Sequence, residues 1–257
     1  MNDSFLPKAI EIVQEAGQML IGAFGQTLKV DAMSDHDIKL KLDQECQELM
    51  THRILEAFSD HTVFGEEGST AEYGASELQW IVDPIDGTVN FFYGFPHFAI
   101  TLALQKNRQT ILGITYDPLR NELFTAVKGG GAKLNGHKIR VSARKQLNEA
   151  MVSTGFAKMK SVVEESWGSV QFLANHARKV RMNGCAALDL AYIACGRLDA
   201  YFERGIRLWD IAGGTLLVEE AGGRVDLLPR SDIFLSYLMT ASNGQLVDLP
   251  NFFEKEK

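Results

Sequence analysis

Hydrophobic side chains recur along the chain with two different periods, and each period predicts one kind of element. Between residues 5 and 24 the apolar positions fall three and four apart, as at Ile10, Val13 and Leu20, which indicates an amphipathic helix. A second segment with this spacing runs from about residue 43 to residue 58. The same reasoning predicts helices at 162–176, 187–195 and 211–221.

Short apolar runs bounded by Gly, Pro, Asn or Asp predict β-strands. A first group forms a meander, with strands at 61–64, 80–82, 99–104, 111–116, 122–127 and 132–136. From about residue 147 strands alternate with helices, and the strands are predicted at 151–154, 180–182, 200–203, 225–226 and 237–241. We therefore expect a single domain over 1–257 of the α+β or α/β class. Within it, 1–146 would form an α+β lobe and 147–257 an α/β lobe.

The most informative stretch is residues 80–91, where a buried strand is predicted to break at the proline of Asp-Pro-Ile-Asp. Asp83 and Asp86 flank that break, and paired aspartates attract hard divalent cations. A helix is predicted to begin beyond Gly87, with Asp86 as its cap. Free N–H groups at Gly87 and Thr88 would attract phosphate oxygens. The stretch thus predicts a cation and a phosphate bound at one turn.

Two more acids stand at the ends of predicted elements. Glu66 follows the strand at 61–64, and Asp210 precedes the helix at 211–221. If the predicted strands at 61–64 and 80–82 lie side by side, Glu66 comes to lie beside Asp83 and Asp86. Two carboxylates at roughly 4 Å repel by about 4 kcal/mol at an effective dielectric near 20, so a cluster of four requires cations at its centre.

Oxygen ligands without nearby Cys or His select Mg²⁺, or Mn²⁺ as a substitute, over zinc. Two such ions about 3.5–4 Å apart can hold an attacking water and a leaving oxygen in line across a phosphorus atom. Thr88 would pass a proton of this water towards a carboxylate such as Asp43 or Glu66. The acids therefore predict metal-assisted hydrolysis of a phosphate monoester.

Composition narrows the class of protein. The chain has 257 residues, 46% of them hydrophobic, and a formal net charge of −7, which disfavours a nucleic-acid or membrane surface. Its 3 cysteines show no CxxC spacing, so we expect buried thiols in a reducing compartment. The first residues lack the pattern of a signal peptide, and no apolar run reaches about eighteen residues. These features predict a cytoplasmic protein.

Three segments, in this order and spacing, resemble the signatures of the inositol monophosphatase family: 65–67 (Gly-Glu-Glu), 83–88 (Asp-Pro-Ile-Asp-Gly-Thr) and 209–214 (Trp-Asp-Ile-Ala-Gly-Gly). The resemblance covers nearly the whole chain and ends at 241–243. It implies a layered αβαβα sandwich, dependence on Mg²⁺, sensitivity to lithium and assembly as a homodimer.

The same resemblance assigns roles residue by residue. It implies that two ions are held by Glu66, Asp83, the Ile85 carbonyl, Asp86 and Asp210, and that a weaker third ion is held by Asp37. Catalysis would rest on Glu66, Thr88 and Asp43, with Asp43 paired to Thr88. The substrate would meet Asp86, Gly87, Thr88, Gly184, Ala186, Glu203 and Asp210. One departure is Leu40, which stands where the family usually has a threonine.

The predicted substrate is a small sugar or polyol phosphate, with inositol 1-phosphate first. Glu203 favours a polyhydroxyl substrate because a carboxylate accepts hydrogen bonds from neighbouring hydroxyls. Similar enzymes act on fructose 1,6-bisphosphate, histidinol phosphate or 3′-phosphoadenosine nucleotides, and these remain alternatives. A hypothesis of another class is a non-catalytic, metal-binding regulatory partner that keeps the fold.

Overall fold

The computed structural model describes residues 4–34, 37–157 and 159–253. The helices within these ranges are α1 (Leu6–Ala23), α2 (Lys41–Ala57), α3 (Thr88–Phe92), α4 (Lys160–His176), α5 (Ala186–Ala194) and α6 (Leu208–Glu220). The strands are β1 (Val30–Ser34), β2 (Asp37–Leu40), β3 (Thr62–Gly65), β4 (Leu78–Asp86), β5 (Ala99–Lys106), β6 (Gln109–Asp117), β7 (Glu122–Val127), β8 (Gly131–Leu134), β9 (His137–Lys138), β10 (Met151–Thr154), β11 (Lys179–Arg181), β12 (Ala200–Arg207), β13 (Arg224–Pro229) and β14 (Ser236–Ser242). None of the helices in the described part of the chain has the length and apolar character needed to cross a membrane.

The strands form two large sheets and one hairpin. The first sheet has 7 strands in the order β3-β4-β5-β6-β7-β8-β9, and only its β3–β4 pair is parallel. The second has 5 strands in the order β11-β10-β12-β14-β13, with β11, β10 and β12 mutually parallel. β1 and β2 pair as a separate antiparallel hairpin. The division into lobes at residue 146 stays a prediction.

Alternate residues of β4 show how the first sheet is covered on both faces. Trp80 and Val82 are fully buried in a core shared with α1 and α2. Ile81, between them, faces the other way and packs with Leu208 and Ala212 of α6. Because successive side chains of a strand point to opposite faces, β4 lies between two helical layers. This double burial explains why its sequence reads as an unbroken apolar run.

The second sheet is covered in the same way. Tyr201 of β12 and Met239 of β14 pack against α5 and α6, which therefore lie between the two sheets. The next residue of β12, Phe202, points to the opposite face of the sheet, where it packs with Val152 and with Leu173 of α4. The layers thus run α1/α2, first sheet, α5/α6, second sheet, α4. This arrangement confirms the predicted αβαβα sandwich.

A contact between two glycines brings α6 close to the first sheet. A β-carbon placed on Gly113 of β6 would lie 2.5 Å from the carbonyl oxygen of Gly213 in α6. Only residues without side chains permit such an approach of helix backbone to strand backbone. The contact sets the height of α6 above the sheet, and α6 carries Asp210 in its first turn.

The predicted break at Pro84 is wrong, because β4 continues to Asp86. The pairing of β4 with β5 shifts register between Asp83 and Asp86, and this irregularity accommodates a residue that has no N–H to donate. The following helix, α3, has only 5 residues and begins after Gly87, which adopts φ 93°. Asp86 is therefore the last residue of a strand, and the prediction that it caps the helix is wrong as well.

Candidate active site

Three of the predicted acids converge at one point. Glu66, Asp83 and Asp210 each offer a carboxylate oxygen, and these atoms all lie within 4.8 Å of one another. β3 and β4 are parallel neighbours, with Gly65 paired to Val82, so Glu66 lies beside Asp83. The backbone N–H of Glu66 also donates to the Val82 carbonyl at 3.2 Å. α6 adds Asp210 from the layer above the sheet.

Asp83 is the most buried member of this group, with 1% of its surface exposed. Its Oδ1 accepts the N–H of Ile85 at 2.9 Å, whereas its Oδ2 is buried and has no hydrogen-bond partner within the described ranges. Burial raises the pKa of Asp83 well above its usual range, and the neighbouring charges of Glu66, Asp86 and Asp210 raise it further. A buried carboxylate oxygen without a donor is costly unless a cation binds it. The donor set therefore fits a hard divalent metal ion.

Asp86 connects the first sheet to α5. Its Oδ2 accepts the N–H of Ala187 at 2.6 Å and the thiol of Cys185 at 3.2 Å. Burial raises the pKa of Asp86 to about 7, and these two donors act in the opposite direction. The start of α5 thus holds Oδ2 of Asp86, and neither of these two bonds uses Oδ1. Asp86 is anchored within the cavity that holds the three converging acids.

Two predicted site residues occupy the same position in their helices. Asp43 and Asp210 are each the third residue, and their carboxylates accept the N–H of the residue before the helix, Leu40 at 2.8 Å and Arg207 at 3.0 Å. Such a bond satisfies one of the donors left free at a helix start. α2 and α6 begin earlier than predicted, so both acids lie inside the first turn. Burial raises the pKa of Asp43 to about 7.

The Thr88 hydroxyl donates to the Ile85 carbonyl oxygen at 2.9 Å. A hydroxyl has one proton to donate, so donation by Thr88 to Asp43 requires this hydroxyl to rotate away from the Ile85 carbonyl. The Ile85 oxygen keeps a second lone pair for a cation. The roles of Thr88, Asp43 and the Ile85 carbonyl stay predictions.

The hairpin that carries Asp37 is described in part. Asp37 begins β2, but its side chain lies outside the described atoms, so its role towards a third ion stays a prediction. Lys39 of the same strand lines the cavity and lies 3.4 Å from Glu67 as an ion pair. Leu40, the residue that departs from the family pattern, is fully buried.

The predicted substrate contacts line the same cavity, whose volume is about 550 Å³. Gly184 and Ala186 lie at the start of α5, and the Asn90 side-chain amide joins that segment to α3 by donating to the Asn183 carbonyl at 2.8 Å. Glu203 is 7% exposed and bonds to the Tyr201 hydroxyl. Burial raises the pKa of Glu203 to about 8. Acids, Gly87, Thr88 and Glu203 thus surround one space of ligand size.

Two residues that contact this site were not predicted for it. Cys185 was expected only as a buried thiol, yet it donates to Asp86. Gln47 of α2 bonds to the turn that follows Glu66, to the Glu67 N–H at 2.9 Å and to the Gly68 carbonyl at 2.8 Å. The spacing of Gln47, one helical turn after Asp43, is the sequence signal that would have placed it on the same face.

Comparison with known proteins gives matches along most of the chain. The model of the inositol monophosphatase family matches residues 1–248. "Nus factor SuhB" of Xylella fastidiosa is 42% identical over 219 residues, 84% of this chain and 79% of that protein. "Inositol monophosphatase 2" of Solanum lycopersicum is 37% identical over 255 residues, 96% of each chain. The crystal structure of the extragenic suppressor protein suhB from Bartonella henselae superposes with a TM-score of 0.87 and 31% identity, covering 94% of this chain and 95% of that one. With the three signature segments meeting in one cavity and the family model spanning residues 1–248, the chain belongs to the inositol monophosphatase family.

Proposed function

We propose that this protein is a Mg²⁺-dependent phosphatase that hydrolyses a small sugar or polyol phosphate monoester, with inositol 1-phosphate as the leading substrate. The observation that carries this proposal is the convergence of Glu66, Asp83 and Asp210, together with the buried Oδ2 of Asp83, which has no hydrogen-bond partner in the described part of the chain. The family is metal-dependent, and carboxylate oxygens are the donors that Mg²⁺ prefers. Membership of the family supports the hydrolysis of a phosphate monoester. The choice of a polyol phosphate as the substrate rests on Glu203 in the cavity.

The residues proposed to hold metal are Glu66, Asp83, the Ile85 carbonyl, Asp86 and Asp210. When bound, Mg²⁺ supplies positive charge for the phosphate oxygens and a water molecule of lowered pKa. The fixed carboxylates hold that charge in place, so little reorganisation is needed during the reaction.

The protein's own groups would orient the ester and move the proton. The N–H groups of Gly87 and Thr88 are proposed to hold phosphate oxygens. The Thr88 hydroxyl, released from the Ile85 carbonyl, would take a proton from the attacking water and pass its own to Asp43 or Glu66. Glu203, which lines the same cavity, would accept hydrogen bonds from substrate hydroxyls.

The test is phosphate release from inositol 1-phosphate, fructose 1,6-bisphosphate, histidinol phosphate and 3′-phosphoadenosine 5′-phosphate, with Mg²⁺ and with a chelator. We expect turnover only with Mg²⁺ and the highest kcat/KM for inositol 1-phosphate. Asp83→Asn should abolish it, whereas Asp60→Asn, at an exposed carboxylate, should not change it. Turnover in the chelator, or unchanged turnover by Asp83→Asn, would refute the metal-dependent mechanism.

The second candidate is a regulatory protein that binds metal without catalysis. Its support is the name "Nus factor SuhB", which several relatives carry. This candidate predicts Mg²⁺ binding without phosphate release from any ester of the panel. Assembly as a homodimer, lithium sensitivity, the number of ions and a cytoplasmic location stay predictions from the sequence.

A further inference from the structure

Gln47 joins α2 to the turn that presents Glu66. The side chain of Gln47 is 5% exposed and faces residues 65–68. Its Oε1 accepts the N–H of Glu67 at 2.9 Å, and its Nε2 donates to the carbonyl of Gly68 at 2.8 Å. One amide thus uses both its acceptor and a donor on the two residues that follow Glu66.

The backbone on the other side of Glu66 is held as well. Gly65 is the last residue of β3, and its N–H donates to the Gly68 carbonyl at 3.0 Å. A β-carbon on Gly65 would overlap the carboxamide of Gln47, so the amide lies directly against the turn. The direction in which the Glu66 side chain points therefore depends on the turn at residues 65–68, to which Gln47 is hydrogen-bonded.

Gln47 also relates this turn to a second acid. Asp43 lies four residues earlier in α2, and residues four apart lie on the same helix face. Burial raises the pKa of Asp43 to about 7, and the charges of Glu67 and Glu66 raise it further, so both acids lie within electrostatic reach. The amide of Gln47 thereby fixes the distance between the helix that carries Asp43 and the turn that carries Glu66.

We propose that Gln47 is a positioning residue that holds Glu66 in the geometry required for metal binding. The inference rests on the proposed function, since it takes Glu66 to be a ligand. Residues that hold metal ligands in place change metal affinity by about 10–100-fold when they are removed. Without the amide, residues 66–68 sample several arrangements, and the ion must select the one in which Glu66 is correctly placed.

The test measures the dissociation constant for Mg²⁺, and for Mn²⁺, by titration calorimetry on the full chain. Gln47→Met keeps the length of the side chain and removes both hydrogen bonds. We expect its dissociation constant to rise by about 10–100-fold. The matched control is Gln44→Met, an exposed position of the same helix, which should change the constant less than about twofold. At saturating Mg²⁺, kcat should return to within about threefold of the wild-type value, because the change weakens metal binding and removes no catalytic group.

A double-mutant cycle separates positioning from a general structural effect. If Gln47 acts through Glu66, Gln47→Met should weaken Mg²⁺ binding by less than about twofold in a Glu66→Gln background. The full loss of affinity in that background, or wild-type affinity of Gln47→Met alone, would overturn the proposal. Should Glu66→Gln bind Mg²⁺ as the wild type does, the ligand assignment of the proposed function fails as well. If the methionine variant does not fold, Gln47→Asn, which is too short to reach both partners, is measured in its place with the same expectation.

Discussion

Asp83→Asn should stabilise the metal-free protein although it removes the proposed activity. Asparagine has the shape of aspartate, and its Oδ1 can still accept the N–H of Ile85, which lies 2.9 Å from Oδ1 of Asp83. Its amide nitrogen takes the place of the unpartnered Oδ2, in a carboxylate group that lies among those of Glu66 and Asp210. The substitution therefore replaces a buried ionisable carboxylate with a neutral donor among two neighbouring carboxylates.

The size of the effect follows from the distances in the cluster. Two full charges 4.8 Å apart repel by about 3.5 kcal/mol at an effective dielectric near 20, and Asp83 faces two such neighbours. Protonation of the cluster relieves part of this repulsion, so we expect the free energy of unfolding to rise by about 2 kcal/mol. In a chain of this length, that corresponds to an increase in Tm of about 4–8 °C.

The assay is thermal unfolding in a chelator and across a Mg²⁺ titration at pH 8. The wild type should gain about 2.7 kcal/mol at Mg²⁺ concentrations near 100 times Kd, whereas Asp83→Asn should gain little, so the order of the two stabilities reverses. Asp60→Asn removes an exposed charge and should change the free energy of unfolding by less than about 0.5 kcal/mol in both conditions. A metal-free Asp83→Asn protein no more stable than the wild type, or one stabilised by Mg²⁺ to the same extent, would refute the reasoning.

Three further changes test other parts of the structure. Burial raises the pKa of Asp43 to about 7 and of Glu203 to about 8. The folded metal-free protein therefore keeps protons that the unfolded chain releases, and its Tm should fall as pH rises from 6 to 9. The fall should be less steep in Glu203→Gln. A Tm independent of pH in that range would contradict this. Cys185→Ala removes the thiol that donates to Asp86 and should raise the calorimetric Kd for Mg²⁺ by about two- to tenfold. Cys185→Ser keeps a donor and should bind Mg²⁺ about as the wild type does, and equal affinities in all three proteins would refute this role of the thiol. Gly113→Ala pushes α6 from the sheet and should cost about 1–3 kcal/mol in denaturant unfolding, and an unchanged midpoint would show that the helix can shift freely.

Local patterns in the sequence were sufficient for most elements of the fold. The apolar run of β6 was predicted at 111–116 and the strand spans Gln109–Asp117, because a run buried on both faces has few polar residues inside it. The break predicted at Pro84 is wrong because the strands that pair with β4 decide whether it continues, and the local sequence pattern does not specify them. β3 and β5 hold β4 on both sides, and a shift of register accommodates the proline between them.

The candidate site was predictable only where sequence neighbours become spatial neighbours. Glu66 was placed beside Asp83 from the expectation that consecutive strands pair, and the parallel β3–β4 register has them adjacent. Asp210 entered the predicted cluster of four as a hypothesis, since no local rule brings the start of α6 to that strand, and the packing of α6 on the sheet brings it there. Gln47 was missed because its two bonds depend on how α2 lies against the turn at 66–68.

The sequence by itself determined which residue types are available and which elements carry them: acids at the ends of two adjacent strands, an acid at the start of a late helix, and apolar runs long enough for a layered core. The tertiary structure decided what those acids are chemically. The raised pKa values of Asp83 and Asp86, the unpartnered oxygen of Asp83 and the hydrogen bond from Cys185 to Asp86 all arise from burial and from contacts between distant segments. Such properties depend on the distances between charges and on the exclusion of water, and the order of residues along the chain specifies neither until the layers have packed.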